Sequence, residues 1–258
     1  MLWAGSASTL HRIRRGEGAL LAVNLSLIAV ASPSPEQGAL QAVVSILTIA
    51  LMYAFNDYYD APLDWDNPKK DRRLVAAYLE HRGASGIAIS ALTLATLVLA
   101  FVTLGHLAGI AVAGVMLINV VYSGFFKGVP VVDVAWCALW GAVYASIVTS
   151  SPPLLILVAI MTAVCHLYQA IGDRAPDAAN AIITTAVRSY FLSTAVLLAL
   201  CTALLIALRP YFGAVSALTA FVPFGALFVA SPHTGWLLSK LYFGIVWLCV
   251  LGFTHALG

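Results

Sequence analysis

Asp57, Asp60 and Asp64 stand at spacings of three and four in the run Asn56-Asp57-Tyr58-Tyr59-Asp60-Ala61-Pro62-Leu63-Asp64. If that run is helical the three carboxylates share one face, and Pro62 predicts a bend or a restart near Ala61. A second row, Gln169, Asp173 and Asp177, repeats Asn56, Asp60 and Asp64 as an amide followed by Asp four and eight residues on, 113 residues later. Crowded anions need cations, and hard oxygen ligands with no His or Cys among them favour Mg2+, which completes its shell with water and phosphate oxygens. Two rows each holding a Mg2+ would grip a diphosphate, with Lys69, Lys70, Arg72, Arg73, Lys127 and Arg188 neutralising the remaining phosphate charge. The chemistry this describes is ionisation of a lipid diphosphate: the departing diphosphate is stabilised and a carbocation forms away from water. Aromatic faces steady such a cation, and Tyr53, Tyr58, Tyr122 and Tyr168 fall at the motif-bearing ends of the apolar runs.

The elements that must position these residues are membrane helices. Of 258 residues, 62% are hydrophobic and only 9% charged, far from the quarter or so charged in soluble domains. Charges are costly in hydrocarbon, so they must cluster where water reaches. A net charge of +2 offers no footprint for nucleic acid. Cys137, Cys165, Cys201 and Cys249 are widely spaced and suggest neither a disulfide framework nor a thiolate metal site.

A spanning helix needs roughly 20 apolar residues. Nine candidates run approximately 18–34, 38–55, 84–104, 107–123, 132–150, 153–170, 190–208, 211–230 and 235–257. None alternates in polarity as a barrel strand would. Breaks fall at Ser32-Pro33-Ser34-Pro35, Gly105-His106, Ser151-Pro152-Pro153 and Arg209-Pro210, while longer polar segments follow the second, fourth and sixth helices. The fold class is an all-α polytopic membrane protein of nine transmembrane helices. The repeated amide and Asp rows divide it into two related four-helix units plus a ninth helix, an arrangement that places a site between halves. With the N-terminus inside, all but Arg209 of the 13 Lys and Arg fall on the inner face, so the N-terminus and the motif segments are expected on the cytoplasmic side. An alternative reads the three early arginines, the apolar stretch from Ala19 and Ala29-Val30-Ala31 as a signal peptide. Asn24 is an odd residue for a disposable apolar region. In a retained helix it faces the bundle, either as a helix–helix hydrogen bond or as part of the site.

Asn56-Asp57-x-x-Asp60-x-x-x-Asp64 and Asp173-x-x-x-Asp177 resemble the two aspartate-rich signatures of the UbiA-type intramembrane prenyltransferases. Tyr122-Ser123-Gly124-Phe125-Phe126-Lys127 is similar to that family's Tyr-Ser to Lys stretch after helix four, and Thr184-Thr185-Ala186-Val187-Arg188 to its run into helix seven. The resemblance implies one prenyltransferase-like domain over residues 1–258, with nine helices around a central cavity and inner-face segments at 56–82, 122–133 and 169–188. It also implies two Mg2+ ions, a prenyl diphosphate donor and a hydrophobic acceptor met within membrane lipid, and no nucleic acid. Asp57, Asp60, Asp64, Asp173 and Asp177 become catalytic metal ligands. Asn56, Arg72, Lys127, Lys69, Arg73 and Arg188 become diphosphate contacts, and Tyr53, Tyr58, Tyr122, Tyr168, Gln169 and Asn24 cavity residues. Two departures stand out: Asp71-Arg72-Arg73-Leu74 replaces a common Asp-Arg-Pro, and Gly128 follows Lys127 where a second basic residue is common.

Three other readings remain at this stage. A cyclase of the same superfamily would act on the prenyl diphosphate alone. A cation-coupled transporter would also bury carboxylates between repeats, but near the bilayer midplane rather than at helix ends. The basic run Lys69 to Arg73 would anchor a loop at anionic headgroups, and the aromatics would sit at the membrane interface. His166, His106, His233 and His255 form no pair at three or four residues and read as structural or interfacial. The absence of a paired His beside the motifs favours an aromatic acceptor, whose π-electrons attack a cation without prior deprotonation.

Overall fold

Apolar runs that must satisfy every backbone polar group internally fold as helices. The computed structural model describes residues 18–65, 71–229 and 231–257, and no strand occurs among them. Six helical runs are long and apolar enough to cross a membrane: Pro35–Asp64, Arg82–Thr103, His106–Phe126, Pro152–Gly172, Tyr190–Phe228 and Pro232–Thr254. Ala19–Ala31 and Val132–Ala145 are apolar but shorter. Ile87, Leu94, Val98 and Val102 on one helix, and Leu241, Ile245 and Leu248 on another, are exposed in rows. Apolar surface of that extent is solvated by lipid, not water.

The chain divides into two compact units, one built from residues up to Gly124 with Ser146–Val148, the other from Phe125–Ala145 and Thr149 onward. The first unit contains α1 (Ala19–Ala31), α2 (Pro35–Asp64), α3 (Arg72–Glu80), α4 (Arg82–Thr103) and α5 (His106–Val121). Pro35 supplies the fixed φ of a first helical turn, and the Ser34 side chain accepts from Gln37 N. α2 is the hub, touching α1, α3, α4 and α5. Its contacts are partly polar: Asn24 Nδ2 donates to Ser45 Oγ at 3.1 Å, and Asn119 Nδ2 donates to the Met52 carbonyl at 3.2 Å. Such bonds hold helices together where lipid tails remove the hydrophobic drive for association.

The second unit contains α6 (Val132–Ala145), α7 (Pro152–Gly172), α8 (Arg174–Ala179), α9 (Thr185–Arg188), α10 (Tyr190–Phe212), α11 (Ser216–Ala220), α12 (Val222–Val229) and α13 (Pro232–Leu257). Here α7 is the hub, packed by α6, α9, α10 and α13. α10 buries Leu197, Cys201, Leu204 and Leu208, one stripe at helical spacing.

Two expected breaks fall elsewhere. α10 runs through Arg209-Pro210 to Phe212 and is capped by Gly213, whose φ of +54° is a backbone conformation that glycine adopts without a Cβ penalty. The helix expected to span 132–150 stops at Ala145.

Candidate active site

The first carboxylate group is positioned by a helix that does not break where the sequence predicts. Pro62 lacks the N–H that would bond the Tyr58 carbonyl, yet α2 continues to Asp64. The freed carbonyl lies 3.5 Å from Arg82 Nη1, at the start of α4. The same guanidinium sits 4.8 Å from the Tyr58 ring centre, and Tyr58 meets Tyr78 of α3 edge to face at 6.5 Å. Tyr78, Val75 and Ala61 form a small buried cluster beneath them. Arg82→Ala is therefore expected to lower stability by about 1–2 kcal/mol, through an unpartnered carbonyl and a lost cation–π contact. Thermal unfolding in detergent micelles measures this, and an unchanged midpoint would assign the accommodation of Pro62 to another contact.

Because α2 is continuous, Asn56, Asp60 and Asp64 lie one and two turns apart on one side, with Asp57 beside them. Asp60 is buried and Asp57 and Asp64 are partly buried. Asn56 Nδ2 donates to Asp60 Oδ2 at 3.1 Å, which orients that carboxylate. Tyr53 is buried. The Tyr58 face expected to steady a cation is covered by Arg82. Asn24 is fully buried in its bond to Ser45.

The tyrosine–serine segment leaves α5 as a π-helical turn, Tyr122–Phe126, a widened geometry that often marks functional sites. Tyr122 is partly buried. Ser123 Oγ is buried with no hydrogen-bond partner among the described residues. A Cβ on Gly124 would lie 3.8 Å from Tyr59 Oη, so this segment adjoins the first motif within the same unit. Arg72 and Arg73 are exposed at the start of α3, which Asp71 caps by accepting from Arg73 N at 2.9 Å. Lys69 and Lys70 lie outside the described residues.

In the second unit α7 ends at Gly172, and Asp173 follows as its C-terminal cap. Asp177 falls in the first turn of α8, and its N–H donates to the Asp173 carbonyl at 3.0 Å. Asp173 thus stands between two helices, with a helical hydrogen bond preserved across the break. Gln169 is exposed, and Asp173 and Asp177 are partly buried. Tyr168 is buried, its hydroxyl donating to the Pro223 carbonyl. A Cβ on Gly235 would stand 2.6 Å from the Tyr168 ring, so glycine there allows α13 to approach α7. Lys127 is partly buried just after the π-turn, and Arg188 is exposed at the end of α9.

Three features escaped sequence reasoning. α3 was legible in the Asp71 cap and in Val75, Tyr78 and Leu79 at helical spacing. His166, Gln169 and Asp173 are spaced i, i+3 and i+7 along α7 and its cap, and His166 lies within electrostatic reach of Asp133, Lys127 and Asp173. Asp133, fully buried, is bonded to Thr185 by a backbone N–H at 2.9 Å and by the hydroxyl.

Among the described residues no group of three or more His, Cys, Asp or Glu side chains closes on itself as a metal cage. Groups of three and of two carboxylates at helix ends, offering one or two ligands to an ion, fit Mg2+, which leaves much of its shell to water and phosphate.

The sequence model of the UbiA prenyltransferase family matches residues 19–243. A UbiA homolog from Archaeoglobus fulgidus bound to GPP and Mg2+ superposes with a TM-score of 0.66 at 17% identity, covering 93% of this chain and 97% of that one. The homolog from the same organism bound to DMAPP and Mg2+ gives 0.60 at 19% identity over 90% and 94%. The form bound to Cd2+ gives 0.54 at 18% over 93% and 98%. No curated protein matches the chain.

Proposed function

Because this chain belongs to the UbiA prenyltransferase family, we propose that it transfers a prenyl group from an allylic prenyl diphosphate to a hydrophobic acceptor, aromatic or lipid-like, inside the membrane. The observation that carries the reading is the unbroken end of α2, which keeps Asn56, Asp57, Asp60 and Asp64 together on two turns of one helix. Homologs of this fold bind GPP or DMAPP with Mg2+, the ligands such a row suits.

Asp57, Asp60 and Asp64, and likewise Asp173 and Asp177, would hold Mg2+, two ions in all, and the metal would supply positive charge to a departing diphosphate. Asn56 orients Asp60. Lys127 and Arg72 contact phosphate oxygens, with Lys69, Arg73 and Arg188 supporting the surrounding charge. Ser123 Oγ, buried without a hydrogen-bond partner among the described residues, is a donor available to the ligand. Apolar helices exclude water from the prenyl chain and the cation that forms at its C1 atom. Tyr53, one turn before Asp57 on α2, and Tyr122, at the start of the π-turn, are the aromatic residues assigned to that cation. The motif segments face the cytoplasm. Carboxylates gathered at helix ends suit a headgroup reaction better than a transport path at the bilayer midplane.

Transfer differs from cyclisation in whether a partner is needed. Incubation of purified protein with Mg2+, prenyl diphosphates of graded length and a membrane lipid extract is expected to give a product heavier than the prenyl chain. Without extract, diphosphate release is expected to fall at least about tenfold, the loss of an oriented acceptor. A cyclic hydrocarbon or alcohol formed equally fast from donor alone would identify a cyclase.

A further inference from the structure

The loop that follows Lys127 and the loop that precedes Arg188 are tied together by one buried network in the second unit. Thr185 N donates to Asp133 Oδ2 at 2.9 Å, and the Thr185 hydroxyl donates to Asp133 Oδ1. The same hydroxyl accepts from Val131 N at 2.7 Å, and Asp133 Oδ1 also accepts from Val134 N at 2.9 Å. Asp133 and Thr185 are both fully buried. A carboxylate receiving several donors in a dry site is held in one geometry.

Backbone strain marks the same two loops. Among the described residues, Val131 (φ 70°) and Ala181 (φ 56°) are the non-glycine residues with positive φ, and for β-branched Val131 that conformation is an outlier. One lies in each loop. A Cβ on Gly128 would be 3.6 Å from Ile183 N, so the loops also touch beyond the network. Strain of this kind persists where surrounding contacts over-determine the backbone. Lys127 stands four residues before Val131, and Arg188 one turn after Thr185 at the end of α9.

We propose that the Asp133–Thr185 clasp is a positioning device for the donor substrate: it fixes the loops bearing Lys127 and Arg188 so that both cations meet the diphosphate in one arrangement. Asp133 and Thr185 act through those cations, not on the reacting atoms. The proposal rests on the reading of Lys127 as a diphosphate contact.

The test is the affinity of the full chain in detergent for a C10 prenyl diphosphate with Mg2+, followed by tryptophan fluorescence, with the unfolding midpoint of each variant measured alongside. Thr185→Val removes the hydroxyl and is expected to weaken binding about tenfold. Thr185→Ser keeps it and should bind within about twofold of the parent. In a Lys127→Ala background, adding Thr185→Val should weaken binding by clearly less than in the parent, about threefold, because only the positioning of Arg188 is left for the clasp to affect. If Thr185→Val does not fold, Asp133→Asn carries the same comparison, since its amide turns a donor toward a donor. Unchanged binding in Thr185→Val with Lys127→Ala impaired, or losses that multiply in the double variant, would overturn the clasp. Unchanged binding in Lys127→Ala would instead overturn the diphosphate reading beneath it.

Discussion

Asp60→Asn and Asp173→Asn are each expected to lower turnover by at least about 1000-fold, the loss that follows when a metal-supported leaving group is deprived of a ligand charge. Asn preserves the side-chain size, and at position 60 its carbonyl oxygen can still accept from Asn56 Nδ2, so the bundle should remain folded. The change is then confined to charge. Diphosphate release from a prenyl donor with Mg2+ measures the activity, and circular dichroism checks the helices. Activity within tenfold of the parent in either variant would leave its row a solvated helix end with no part in the chemistry.

Lys127→Ala is expected to cost about 2–4 kcal/mol in kcat/KM for the donor, some 30- to 1000-fold, as befits a partly desolvated cation on phosphate. Arg72→Ala should cost less, since Arg72 is exposed at the first turn of α3 and water screens its charge. Steady-state kinetics across donor concentrations distinguish the two. A silent Lys127→Ala would mean that Gly128 reports a loop turned to another use.

Much of this was legible because bilayer chemistry writes plainly. Apolar runs between clustered charges locate the helices, and an amide followed by Asp at four and eight residues marks both hub helices. What could not be read depended on partners distant in sequence. Pro62 signals a break by local rules, and only Arg82, twenty residues on, accommodates it at the Tyr58 carbonyl. Pro210 misleads in the same way, because Gly213 ends α10 instead. Tyr58 and Tyr168 qualify by position as cation-facing aromatics, but Arg82 lies over the ring of the first and the hydroxyl of the second donates to the Pro223 carbonyl. His166 has no histidine neighbour in sequence, and its companions Asp133 and Lys127 come from another element. Asp133 reads as an ordinary first-turn acid until Thr185 arrives 52 residues later.

The placement of the carboxylates also runs against the polarity of the helices that carry them. α2 ends with Asp57, Asp60 and Asp64 in its last turns and no basic residue there, and α7 is capped by Asp173. Aligned peptide dipoles leave roughly half a negative charge at a helix C-terminus, where proteins usually station Lys or Arg, and an acid there is disfavoured by about 0.3–1 kcal/mol. Each hub helix thus adds its own partial negative charge to its acidic row. A divalent cation bound at such an end is drawn by the carbonyls of the last turn as well as by the side chains. The carbonyl ends of α2 and α7 thus favour a positive charge that neither helix supplies with a basic residue of its own in its last turn.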